Sequence, residues 1–156
     1  MSATQEAIDL TIIAARAAAD VKATSITAID VAERLALTDT FLVVSGSTER
    51  QVRAIVDSVE EALHKAGCRR KRREGMEGEA HWVLLDFGIL MVHVQQDEDR
   101  EFYALEKLWG DCPAIELPED IQASEAAQES ALAAYFSGGI DNATGVDATT
   151  AADQIS

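Results

Sequence analysis

"WVLLDFGILMVHV", residues Trp82 to Val94, consists of two leucine- and valine-rich runs around one glycine. Successive side chains of a strand point to opposite faces, so the register of a hairpin here fixes two surfaces at once. With Gly88 and Ile89 as the loop residues and glycine first, a type II′ turn pairs Phe87 with Leu90, Leu85 with Val92 and Val83 with Val94. Those six residues make a wholly apolar face. The same register sets Asp86 beside Met91, Leu84 beside His93 and Trp82 beside Gln95 on the other side. One face is expected to pack on helices. The other is mixed, and a catalytic site, a docking surface or a half-solvated sheet would each place polar groups there.

Working outward, the residues ahead of the hairpin read as helix, strands and helix. Ile8, Ile12, Ala15 and Ala19 recur at helical spacing, which predicts an amphipathic helix over about residues 4–22. "SITAIDV" and "TFLVVSG" are short and β-branched-rich, as strands are. Thr48 and Gln51 then form a capping box, Val52, Ile55, Val56, Val59, Leu63 and Ala66 an apolar stripe, and Gly67 a stop. Cys68 to Glu74 offers a further strand before the acidic, glycine-containing loop "EGMEGEAH". After the hairpin, "QQDEDREFYALEKLWGD" reads as a helix capped by Asp97, with Phe102, Leu105, Leu108 and Trp109 as its inward stripe and Tyr103 and Glu106 off it. The order predicts a single α/β domain with a mixed sheet of four to six strands flanked by helices. Pro113 and Pro118 mark the exit from it.

At 156 residues the chain has room for one domain with a real core and an appendage. We divide it into a domain of residues 1–118 and an acidic tail, 119–156. The tail has no Lys or Arg, carries seven acids and is rich in Ala, Ser and Thr, which predicts a flexible segment with at most a short helix over 121–136. The whole chain carries −15; without the seven tail acids, 21 acids still face 13 bases. That excess disfavours long-range attraction to bare nucleic acid, and no direct DNA binding is expected. Cys68 and Cys112 lie in no metal-ligand spacing and suit thiols in a reducing cytosol. The N-terminal residues lack a basic start followed by an apolar stretch, and no run approaches a membrane span, so a cytoplasmic protein is expected.

Several motifs have both a chemical and a structural reading. "SGST", Ser45 to Thr48, lies between strand and helix, where free N–H groups hold anions, but no phosphate-loop lysine follows. A capped turn explains it already. Metal-dependent nucleotidyl transfer needs closely spaced strand carboxylates, and Asp86 has no companion on its strand. His93 lies diagonal to Asp86 and could act as a base, yet no convincing nucleophile accompanies it; His64 and His81 are uninformative. "RRKRR", Arg69 to Arg73, is flanked by Glu60, Glu61, Glu74, Glu77 and Glu79. A solvated strand or loop is the simpler reading, with ribosomal RNA or an acidic segment as the competing partner. The mixed hairpin face combines aromatic and apolar anchors with polar groups, as protein interfaces do, unless another helix covers it.

"TDTFLVVSGSTERQVRAI", "HWVLLDFGILMVHV" and "REFYALEKLW", in this order and spacing, resemble the ribosomal silencing factor family, also called iojap-like, over roughly residues 4–117. The matching positions are Thr38, Asp39 and Phe41; Ser45, Gly46, Thr48, Gln51 and Val52; Trp82, Asp86, Gly88 and His93; and Arg100, Phe102, Tyr103, Leu105, Glu106, Leu108 and Trp109. Ile89 departs from the acid that usually follows the hairpin glycine. The resemblance implies a fold related to nucleotidyltransferases without their catalytic carboxylates, no enzymatic activity, no cofactor and no metal. It also implies binding to the large ribosomal subunit through universal ribosomal protein fourteen at the subunit interface. Such binding would sterically block joining to the small subunit, mainly when nutrients are short. On that basis Trp82, Leu84, Asp86, Met91, His93, Tyr103 and Glu106 are the expected partner-binding residues, with Phe102, Leu105, Leu108 and Trp109 in the core. A homodimer on part of the same surface is a further expectation, as competitors remain a degenerate nucleotidyltransferase and a scaffold acting through its tail.

Overall fold

In a computed structural model, describing residues 2–103 and 105–121, Trp82–Asp86 (β4) and Leu90–Gln96 (β5) pair antiparallel in the expected register. Phe87 N–H donates to the Leu90 carbonyl at 2.9 Å, closing the loop. Gly88 has φ +90°, the left-handed value that a II′ turn demands of its first loop residue, and Ile89 does not share it. Asp86 adds a second closure, its Oδ1 accepting from the Gly88 N–H at 2.9 Å.

Around this hairpin the sheet has five strands in the order β1-β2-β5-β4-β3, with Ser25–Asp30 as β1, Thr40–Gly46 as β2 and Arg72–Glu74 as β3. β2 and β5 are parallel; the other neighbours are antiparallel. Helices Gln5–Asp20 (α1) and Glu49–Lys65 (α2) connect with one face of the sheet in a single core. Ile26, Leu42, Val44, Val83, Leu85, Val92 and Val94 are all buried there, against Val52, Ile55, Val56, Val59 and Leu63 of α2. Each such side chain contributes roughly 1.5–3 kcal/mol by leaving water.

α1 uses a different stripe from the one its isoleucines suggest. Ala7, Leu10, Thr11, Ala14, Ala15, Ala17 and Ala18 are buried, whereas Ile8, Ile12, Ile13 and Ala19 are half-exposed. Small side chains set how closely helices approach, so the alanine side faces the core. Thr11 Oγ1 donates to the Ala7 carbonyl at 2.7 Å and lies 2.8 Å from Thr40 Oγ1, which satisfies two hydroxyls inside that contact.

Thr48 caps α2 as expected, accepting from Gln51 N–H at 3.1 Å. Gln51 does not complete the box on Thr48: its Oε1 accepts from Ser47 N–H at 2.8 Å while its Nε2 donates to the Lys22 carbonyl at 2.5 Å. The side chain thereby ties the start of α2 to the end of α1.

Two expectations about the C-terminal part are corrected. The described residues after β5 are helical over Asp97–Tyr103 (α3) and Leu105–Leu108 (α4), and Asp97, expected as the cap, lies within α3, its carboxylate accepting from the Thr24 hydroxyl. Leu108 and Trp109, expected on an inward stripe, do not join the main core: Leu108 is 67% exposed, and Trp109 is half-buried against the second cluster. Nor does the chain leave the fold at Pro113. Asp30 N–H donates to the Pro113 carbonyl and Ile115 N–H to the Ala28 carbonyl, each at 2.9 Å, so residues 113–115 line the open edge of β1. Leu117 and Ile121 are buried in the main core and Asp120 pairs with Arg16, so the core reaches past residue 118. The described residues belong to one compact unit, Met1–Ser124; the rest of the tail, including most of the helix expected over 121–136, lies outside the described residues.

Candidate docking face

The sheet face turned away from α1 and α2 carries Ile29 of β1, Phe41 of β2, Met91 and His93 of β5, and Trp82, Leu84 and Asp86 of β4. Its β1–β2 side is covered. Ile29, Val31 and Phe41 form a second buried cluster, joined by Leu35, Met91, Trp109 and Cys112. The Phe41 and Trp109 rings meet edge-on with centroids 5.0 Å apart, and the Arg34 guanidinium lies 4.6 Å over the Trp109 ring while pairing with Asp111 at 2.7 Å. The β4 side is open: Trp82, Leu84 and Asp86 are half-buried, and Trp82, Leu84 and His93 line a shallow cavity of about 340 Å³ with Glu74 and Gly75. Gly75 has φ +97°, and a Cβ there would sit 2.2 Å from the Trp82 carbonyl oxygen, so only glycine lets this wall close on β4. Arg53 braces the same loop, donating to the Met76 and Gly78 carbonyls at 3.1 and 2.6 Å.

The polar groups of Asp86 and Trp82 are engaged internally. Asp86 shapes the hairpin turn. Trp82 Nε1–H donates to His93 Nδ1 at 3.3 Å, and the His93 ring packs edge-on against Phe41 with centroids 4.8 Å apart. Burial lowers the His93 pKa to about 4, so the ring is neutral at pH 7 with its proton on Nε2. Among the described residues the hydrogen bond His93 accepts is from the Trp82 indole, and no Ser or Cys side chain is hydrogen-bonded to the ring as an activated nucleophile would be. His81, at the rim, lies 2.8 Å from Glu79 and 3.2 Å from Asp99, and its hydrogen bond to Glu79 raises its pKa.

Of the expected partner-binding residues, Trp82, Leu84, Asp86, Met91 and His93 share this face. Tyr103 and Glu106 fall in α3 and α4, but their side chains, like those of residues 101–106 generally, lie outside the described ones. Ile89 turns toward the edge of the main core, and its carbonyl accepts from Asp39 and Thr40 N–H at 2.9 and 3.1 Å. Gln95 was not singled out by the sequence: it is fully buried beside Trp82 in the ladder, with neither amide atom hydrogen-bonded. Period-two alternation put it on this face, but nothing local announced its burial.

The alternative chemical readings find little support in the geometry. The Ser47 and Gln51 N–H groups at the start of α2 are already bonded to Gln51 Oε1 and Thr48 Oγ1. Of the strand carboxylates, Asp86 accepts from the Gly88 N–H, and Asp30 accepts from the Ala3 and Ala32 N–H groups at 2.9 and 3.0 Å. Among the described residues no three His, Cys, Asp or Glu side chains gather as a metal site would require.

A family profile described as "Ribosomal silencing factor during starvation" matches residues 4–137, most of the chain. The chain belongs to the ribosomal silencing factor family. It is 40% identical to the ribosomal silencing factor of Halalkalibacterium halodurans over 105 residues, covering 67% of this chain and 89% of that one. It is likewise 40% identical to that of Bacillus subtilis, over 67% of this chain and 88% of the relative. A crystal structure of a Chromobacterium violaceum protein, 34% identical, superposes with a TM-score of 0.63 over 65% of this chain and 84% of the other. The names of these silencing factors are regulatory rather than catalytic. The profile extends 19 residues past position 118, in keeping with a core that includes Ile121.

Proposed function

We propose that this silencing factor acts by docking, without chemistry, in the cytoplasm. Its open sheet face around Trp82, Leu84, Asp86, Met91 and His93 binds a protein of the large ribosomal subunit at the subunit interface, universal ribosomal protein fourteen. An object held there blocks the small subunit sterically, and nutrient limitation is the condition under which this matters. The observation that carries the reading is the asymmetry of the sheet: one face is sealed by α1 and α2, while the other leaves Trp82 and Leu84 half-exposed around a shallow cavity. Partly exposed aromatic and aliphatic anchors with a neutral polar partner suit a protein interface. Tyr103 and Glu106 belong to the same surface in this proposal, and a homodimer using it would compete with docking. No helix among the described residues is long and apolar enough to cross a membrane.

Co-sedimentation with separated large and small subunits at fixed salt tests the proposal. The 156-residue chain and a variant ending at Ser124, which keeps the buried Ile121, are both expected to pellet with large subunits only. A Trp82→Ala, Met91→Ala double variant that stays folded is expected to lose most of that binding. Unchanged binding by the double variant refutes the docking face, and binding of the wild type to neither subunit refutes the function.

A further inference from the structure

The basic run Arg69 to Arg73 is not used by the docking face, yet the fold places it along that face's open border. Arg72–Glu74 is the outermost strand of the sheet, and Lys71 N–H extends its ladder by donating to the Asp86 carbonyl at 2.7 Å. All five cations are exposed. Three of them have carboxylate partners: Arg70 and Arg73 share Glu60, and Arg72 pairs with Glu74 at 3.0 Å. Five cations thus have two carboxylates as ion-pair partners, and with Asp57 close by the edge still keeps an excess of positive charge on an otherwise acidic chain. Arg69 and Lys71 have no ion-pair partner among the described residues. Asp57 and Glu61 line the adjoining cavity with Arg69 and Arg70, and Glu61 is also 3.6 Å from Lys65. Lys71 reaches over the hairpin turn, its Cε within 3.2 Å of where a Gly88 Cβ would stand. The turn residue beside it is Ile89, which brings no carboxylate to hold the ammonium.

We propose that this edge binds the phosphodiester backbone of ribosomal RNA next to the docking site on the large subunit. The inference rests on the docking proposal above. A face held against a ribosomal protein brings its border against neighbouring surface, and four of the five cations are arginines, whose planar fork suits phosphate oxygens. Lys71 and Arg73, two residues apart on extended backbone, stand roughly 6.6 Å apart, a spacing comparable to that of successive phosphates. The −15 charge of the chain does not prevent such a contact, because charges farther than about 8 Å are screened at physiological salt. The edge therefore adds a short-range, salt-sensitive term to binding that the sheet face directs.

The test measures affinity for large subunits across a salt series for the unaltered chain and for an Arg69→Gln, Lys71→Gln variant. Both positions are exposed and unpaired, so the variant is expected to keep its melting temperature. Hydroxyl-radical footprinting of the RNA in the bound subunits runs in parallel. Losing two phosphate contacts should make the slope of log affinity against log salt shallower by about 1.5 and remove a local patch of ribose protection. An unchanged slope overturns the RNA contact while leaving docking intact. A shallower slope with an unchanged footprint also overturns it, and assigns the edge to an acidic protein segment instead. Failure of the unaltered chain to bind large subunits overturns both proposals together.

Discussion

Replacing His93 by phenylalanine should flatten the pH dependence of stability between pH 7 and 5. His93 has a pKa of about 4 in the folded chain, because burial penalises the charged ring, against 6.5 for the ordinary side chain. Between those values the unfolded chain binds a proton that the folded chain refuses, so the His93 contribution is fully present above pH 6.5 and is lost as pH falls toward 4. Integrating the two titrations from pH 7 to 5 gives a loss of about 2 kcal/mol, most of it below pH 6. The window stops at pH 5, where most carboxylates remain ionised. His81 shifts the other way, but it is present in both proteins and cancels in the difference. Phenylalanine preserves the edge-on contact with Phe41 and gives up only the 3.3 Å bond from the Trp82 indole. Urea unfolding at pH 7, 6 and 5 for both proteins supplies the measurement. The wild type should lose about 2 kcal/mol more than His93→Phe over this range. Parallel curves would mean that His93 titrates in the folded chain as it does in water, and the neutral, buried ring argued for the docking face would be wrong.

The other predictions concern the supports of that face. Gln95→Met, which removes two buried amide atoms without hydrogen bonds at nearly constant volume, should stabilise the chain by about 1–3 kcal/mol in urea unfolding. Gly88→Ala should cost about 1–2 kcal/mol from its positive φ, since the nearest neighbour is the flexible end of Lys71. Gly75→Ala should cost more than Gly88→Ala, because backbone of Trp82 blocks the added Cβ, and thermal melting of the two variants side by side decides it. Thr48→Ala should cost about 1 kcal/mol by freeing the Gln51 N–H at the start of α2, read from the denaturant midpoint at unchanged slope.

The residue pattern alone determined the hairpin, down to each cross-strand pair, because period-two alternation around a single glycine admits one register that gathers a wholly apolar set, Val83, Leu85, Phe87, Leu90, Val92 and Val94, on one side. It likewise determined α2 and its buried stripe through Val59 and Leu63, where capping and periodicity agree. The ordered motifs around Phe41, Trp82 and Arg100 were enough to suggest the family. What the polar members of the mixed face do was decided only by the tertiary structure. Asp86 turns back to its own loop, the indole of Trp82 finds His93, and Phe41 and Trp109 cover one half of the face while leaving the other open. The buried side of α1, the second arm of Gln51 and the return of Ile121 to the core were also settled there. Local rules act over a few residues, and they fix turns, caps and the face on which a side chain stands. Apart from the Asp86 contact within its own turn, these remaining features depend on groups 11 to more than 60 positions away in the chain, whose meeting is set by how the layers pack.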